Sequence, residues 1–148
     1  MGWPLTTLTG RTIAFLVAPY GVEQQELTSP WQAVAESGGV ANPDQLRLDR
    51  AAVSFVHACC ASGRPVAAIC HAAWTLIEAD AVRGRTLTSW PSLRTDLVNA
   101  GAQWVDEEVH ICRDGPGPLE TSRKPADLPV FEDALVTEFV HAVAKRRT

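Results

Sequence analysis

The chain has 148 residues, of which 46% are hydrophobic and 20% charged, and its formal net charge is -4 at pH 7. This length supports one buried core and not two, so residues 1–148 are expected to form a single domain. No apolar run approaches the roughly 18 residues needed to span a bilayer, and the acidic balance argues against a phosphate-binding surface. Neither a membrane nor a nucleic acid is therefore expected as a partner.

The four cysteines are Cys59, Cys60, Cys70 and Cys112. No secretory signal precedes them and no pair has C-x-x-C spacing. They read as free thiols in the reducing cytoplasm, without a disulfide framework or a zinc site.

In chain order, Thr12 to Ala18 is a continuous apolar run that ends at Pro19-Tyr20-Gly21, as a buried strand and its turn would. Ser29-Pro30-Trp31-Gln32 combines a capping serine, a first-turn proline and a capping-box glutamine. The helix it opens should stop at Gly38-Gly39. Gly38 to Asp44 reads as a loop containing an Asn-Pro-Asp turn. Asp49 is positioned to cap a helix running through Ala61, with Gly63 as its stop.

Pro65 to Ile69 is apolar without alternation, as in a parallel strand covered on both faces. A helix over Ala72 to Ala79, a short strand over Thr86 to Ser89 and a helix from Leu93 stopped by Gly101 follow. Trp104-Val105 and Val109 to Cys112 are further strands, and Arg113 to Pro118 is a turn that returns Leu119 to Ser122 as a hairpin partner. Leu128, Phe131, Leu135, Phe139 and Val143 recur at helical spacing in a last helix. Lys145-Arg146-Arg147 suits the C-terminus of that helix. Strands alternating with helices specify an α/β layered domain.

Ala68-Ile69-Cys70-His71-Ala72 lies where a buried strand passes into a helix. A sharp turn there projects the central side chain, and small residues two before and two after let strand and helix approach. The helix N-terminus favours a thiolate, and His71 is an adjacent base. The plainer reading makes Cys70 a small buried hydrophobe and His71 its satisfied neighbour. His57 with Cys60, and His110 with Cys112, read as core-facing pairs rather than metal ligands. Trp31, Trp74, Trp90 and Trp104 read as core aromatics.

Pro65-Val66-Ala67-Ala68-Ile69-Cys70-His71 resembles the nucleophile segment of the PfpI family of intracellular cysteine peptidases and deglycases, in the class I glutamine amidotransferase-like superfamily. Gly21 to Leu27, Leu87 to Gly101 and Thr121 to Leu128 are similar to the same family, in the same order. The resemblance implies a flavodoxin-like three-layer α/β sandwich with a mostly parallel sheet. It makes Cys70 the nucleophile, Glu26 the acid that bonds its sulfur, and His71 the partner imidazole. Asp44 would be a loop acid that orients His71 from a neighbouring subunit, which implies a homo-oligomer. Gly38 and Gly39 would supply oxyanion donors, and Trp90 would border the substrate.

No cofactor and no metal are implied. The implied activity is stress-related cysteine-dependent hydrolysis, as a peptidase or amidase or as a deglycase or glyoxalase. The implied partners are small carbonyl compounds, glycated groups or peptides.

Two departures from the family pattern bear on the site. Ala72-Ala73 stands where the family has Gly-Pro. Between the first helix and the Gly-Gly loop the chain lacks roughly forty residues, so strands after that helix are expected to be missing or rearranged. A non-catalytic thiol sensor or interaction domain and an inactive deletion variant remain open alternatives.

Overall fold

The computed structural model describes residues 41–144, and side chains within residues 43–140. The strand expected over 12–18, the helix from Pro30, and the joined Gly-Gly region with Gly38 and Gly39 lie outside the described residues. So do Glu26, Trp31 and the Lys145-Arg146-Arg147 end.

The first described element corrects the sequence reading. Residues read as a loop with an Asn-Pro-Asp turn form helix α1 (Ala41–Leu46), with Asp44 in its first turn. Pro43 is compatible with this because a proline in the first helical turn forfeits no intrahelical hydrogen bond. Helix α2 (Arg50–Ala61) begins as expected at Asp49, whose carboxylate accepts from the backbone N–H groups of Ala51 and Ala52 at 2.8 and 3.1 Å. Strand β1 (Val66–Ile69), a tight turn over Cys70–Ala72 and helix α3 (Ala73–Glu78) follow without a break. Beyond them come β2 (Thr86–Leu87), α4 (Arg94–Asn99), β3 (Gln103–Trp104), β4 (Val109–Cys112), β5 (Leu119–Ser122) and α5 (Leu128–Ala144).

Strands β1, β5 and β4 form one sheet with β5 in the centre, parallel to β1 and antiparallel to β4. The hairpin expected from the Arg113–Pro118 turn is the β4–β5 pair. Strands β2 and β3 pair in parallel as a second, two-stranded sheet. The backbone N–H of Thr88 donates to Thr121 Oγ1 at 3.0 Å and ties the segment after β2 to β5.

Residues of β1 alternate between two cores, as a strand covered on both faces must. Val66 and Ala68 join Leu76, Leu87, Leu93, Leu97 and Leu119. Ala67 and Ile69 join Phe131, Leu135 and Val136 of α5. The sheet is thus held between helices on either side.

The segment Thr121 to Leu128 is braced by Arg123. Its guanidinium donates to both carboxylate oxygens of Asp127, at 2.9 and 3.1 Å, and to Asp106 at 2.8 Å. The two carboxylates hold the Arg123 pKa above its ordinary value, hydrogen bonding to Asp127 being the larger cause.

Candidate functional site

The junction of β1 and α3 has the sharp turn that the sequence specifies. Ile69 is extended, Cys70 takes a positive φ of 60°, and Ala72 and Ala73 are both helical. A non-glycine residue in the left-handed region costs on the order of 1–3 kcal/mol and persists only where its surroundings impose it. Here the backbone N–H of Trp90 donates to the Cys70 carbonyl at 3.2 Å, holding the turn from outside. Ala68 and Ala73 are buried at the approach of strand and helix. The departure from Gly-Pro introduces no backbone conflict, since alanine adopts the φ of -58° and -57° found at Ala72 and Ala73 without strain.

Cys70 and His71 are both buried, and the Cys70 sulfur lies 3.2 Å from His71 Nδ1. Burial lowers the His71 pKa from its ordinary value, because desolvation disfavours the imidazolium. The imidazole is therefore neutral near pH 7 and able to accept a proton from the thiol.

Two indoles flank it. Trp90 stacks on the imidazole at 5.7 Å between ring centroids and 26° between planes, and Trp74 meets it at 5.3 Å and 58°. Trp90, read as either a core aromatic or a border of the site, is exposed and lies at His71. Trp74, read as a core aromatic, is half-buried at the same ring. Its available signal was position, since three residues along a helical turn put it beside His71.

Asp44 is exposed on α1, and among the described residues no hydrogen bond or ion pair joins it to His71. Glu26, Gly38 and Gly39 lie outside the described residues.

Of the residues read as core-facing pairs, Cys112 is buried as expected, whereas His57, Cys60 and His110 are exposed or half-buried. His57 is exposed, and its Nδ1–H donates to the Ala79 carbonyl at 2.9 Å, pinning α2 to the end of α3. Cys60 is half-buried, and that burial pushes its thiol pKa up. His110 pairs with Glu107 at 2.7 Å, while Cys112 is buried. Among the described residues no group of three His, Cys, Asp or Glu side chains gathers as a metal site, and no helix is long and apolar enough to cross a membrane.

A family model for the DJ-1/PfpI family matches residues 37–138, a span that includes the turn at Cys70, the flanking indoles and the β4–β5 hairpin. The chain belongs to the DJ-1/PfpI family. It is 45% identical over 104 residues to general stress protein 18 of Bacillus subtilis (strain 168), covering 70% of this chain and 58% of that protein. It is 47% identical over 90 residues to protein/nucleic acid deglycase 2 of Escherichia coli (strain K12), covering 61% of this chain and 51% of that protein. The chain thus spans little more than half the length of these relatives. Among solved structures, it matches a two-domain protein with DJ-1/ThiJ/PfpI-like and ferritin-like domains from Anabaena variabilis, with a TM-score of 0.62 and 39% identity. That match covers 68% of this chain and 28% of the other. The fold is flavodoxin-like α/β, in agreement with the expectation from sequence.

Proposed function

We propose that this chain is a stress-related, cysteine-dependent hydrolase acting on carbonyl compounds, glycated groups or peptides, with Cys70 as nucleophile and His71 as its base. The observation that carries this reading is the 3.2 Å approach of the Cys70 sulfur to His71 Nδ1, on a strained turn between β1 and α3. In the step common to these substrates the thiol proton passes to Nδ1, the sulfur bonds to the carbonyl carbon, and the oxygen takes up the negative charge. In an amide the imidazolium then returns its proton to the departing amine, and water releases the acyl group from sulfur. The proposed steps call for no cofactor or metal.

The Escherichia coli relative is named a protein/nucleic acid deglycase, which favours glycated groups as substrates here. The net charge of -4 favours small adducts or adducts on protein over a nucleic-acid surface. Glu26 is proposed to hydrogen-bond the sulfur, and Gly38 and Gly39 to receive the oxyanion. Trp90, exposed beside the imidazole, is proposed to wall the substrate. Asp44, exposed on α1, is proposed to act on His71 of a second copy in a homo-oligomer. A single domain in the cytoplasm completes the reading.

The test is the pH profile of Cys70 alkylation in a chain with Cys59, Cys60 and Cys112 replaced by serine. A midpoint well below the ordinary thiol value of about 8.5 is expected. Methylglyoxal consumption, or release of amine from a glycated peptide, should then vanish in Cys70→Ala. An ordinary midpoint, or an activated thiol without turnover, would overturn the enzyme reading.

A further inference from the structure

We propose that Trp74 and Trp90 are positioning residues that hold the His71 ring against the Cys70 sulfur. This rests on the reading of Cys70 and His71 as a reacting pair. A histidine side chain turns freely about two bonds, and few of its orientations bring Nδ1 to a neighbouring sulfur. Among the described residues no carboxylate makes a hydrogen bond or ion pair with the imidazole to fix it. What it meets is the Cys70 sulfur at 3.2 Å and the two indoles at 5.3 and 5.7 Å.

Each indole is itself anchored. Trp74 Nε1–H donates to Asp96 Oδ2 at 2.9 Å, and the Arg47 guanidinium lies over the Trp74 ring at 5.3 Å. Arg47 is held in turn by Glu78, whose Oε1 accepts from its Nε and Nη2 at 3.1 and 2.7 Å. Trp90 is fixed through its backbone, donating to the Cys70 carbonyl and accepting from Ser89 Oγ at 2.9 Å. Ser89 Oγ also accepts from Trp104 Nε1 at 3.0 Å. One residue, Trp90, therefore steadies the turn by its amide and the imidazole by its ring. Anchors just after α1, on α3 and α4 and in the loop after β2 thus converge on the orientation of one ring. Burial depresses the His71 pKa, and on the proposal the two rings against the imidazole supply part of that burial.

The experiment follows the His71 ring by NMR through a pH titration and measures turnover in the same proteins. The variants are Trp90→Ala, Trp90→Phe, Trp74→Ala and Trp74→Phe. In each alanine variant the His71 midpoint should rise towards the ordinary value of about 6.5 as water reaches the ring. The kcat should fall about ten- to a hundredfold through loss of alignment. Each phenylalanine variant should restore most of both. An unchanged titration and an unchanged kcat in the alanine variants would overturn the proposal. So would phenylalanine failing as badly as alanine in a protein that still melts cooperatively. Should an alanine variant fail to fold, the phenylalanine variant and the other indole's pair decide by the same two readouts. Turnover surviving Cys70→Ala would sink the parent reading of the reaction. The titration, which needs no substrate, judges the indoles separately.

Discussion

Glu120 on β5 sets a buried carboxyl beside that of Glu138 on α5, and among the described residues only Glu138 has a cation to answer it. Both oxygens of Glu138 accept from Arg113, each at 2.6 Å. Glu120 is 2% exposed, and among the described residues neither of its oxygens has a hydrogen-bond partner. Its strand neighbours are Ala67 and Ile111, which offer its side chain no polar group.

This arrangement fixes the sign of a pH effect. Burial, and secondarily the Glu138 charge, push the Glu120 pKa from 4.5 up to about 8. Between these values the folded chain retains a proton that the unfolded chain releases. Stability therefore falls as pH rises through that window, by about 1.4 kcal/mol per unit from this group. Below it the group contributes no slope, and above it the loss is complete. Glu120→Gln keeps the shape and cannot ionise, so it should flatten the profile and be the more stable protein at pH 9. Urea melts of parent and variant at pH 5, 7 and 9 check this. Parallel profiles would show that Glu120 is not the group responsible.

Gly117, in the turn between β4 and β5, lies against the backbone at the end of α2. An added Cβ would stand 2.5 Å from the Gly63 carbonyl carbon and 2.6 Å from its oxygen. Backbone atoms cannot move aside as a flexible side chain can. The turn is also clamped from below by the buried Arg85, which donates to the carbonyls of Asp114 and Gly117. Gly117→Ala should destabilise the fold by about 1–3 kcal/mol, as overpacking does elsewhere. Gly84 has a φ of 72° and open space around it, so Gly84→Ala should cost only about 1 kcal/mol of backbone strain. Equal losses in the two variants, read by denaturant melts, would count against the close approach at Gly117.

Asp49 gives a simpler case. Its carboxylate satisfies two of the donors that the start of α2 leaves open. Asp49→Ala should lose about 1 kcal/mol in a denaturant melt, and Asp49→Ser much less, because serine also accepts at an N-cap.

What the sequence discloses is mostly local. The cap at Asp49, the turn from β1 through Cys70 into α3, and the hairpin around Arg113–Pro118 each announce themselves within a few residues. Helix α1 escaped because Asn-Pro-Asp is turn chemistry as readily as a first helical turn, and only context decides. The indole contacts escaped for a different reason. Trp90 reaches His71 across a helix and a strand, and a tryptophan's burial does not say what its ring faces. Glu120 passes for a surface residue in Leu-Glu-Thr-Ser, because its central place between β1 and β4 exists only once the sheet has formed. The family resemblance supplied the fold, and the role it gives Asp44 belongs to a neighbouring subunit, which no pattern within one chain spells out.

The strain at Cys70 yields a test of the turn that is independent of any substrate. Glycine ordinarily stabilises a fold less than alanine, by roughly 0.5–1 kcal/mol, because it has more freedom to lose. At Cys70 the order should reverse. The φ of 60° is open to glycine and strained for alanine, and both variants remove the same sulfur. Cys70→Gly should therefore melt at higher denaturant than Cys70→Ala, by about 1 kcal/mol, while neither retains turnover. A β-branched residue crowds this region further, so Cys70→Val should be the least stable of the three. Alanine proving more stable than glycine would mean that the turn relaxes to an ordinary conformation once the sulfur is gone. In that event Cys70's own contacts, rather than the Trp90 amide and the packing of β1 against α3, would be what enforces the bend.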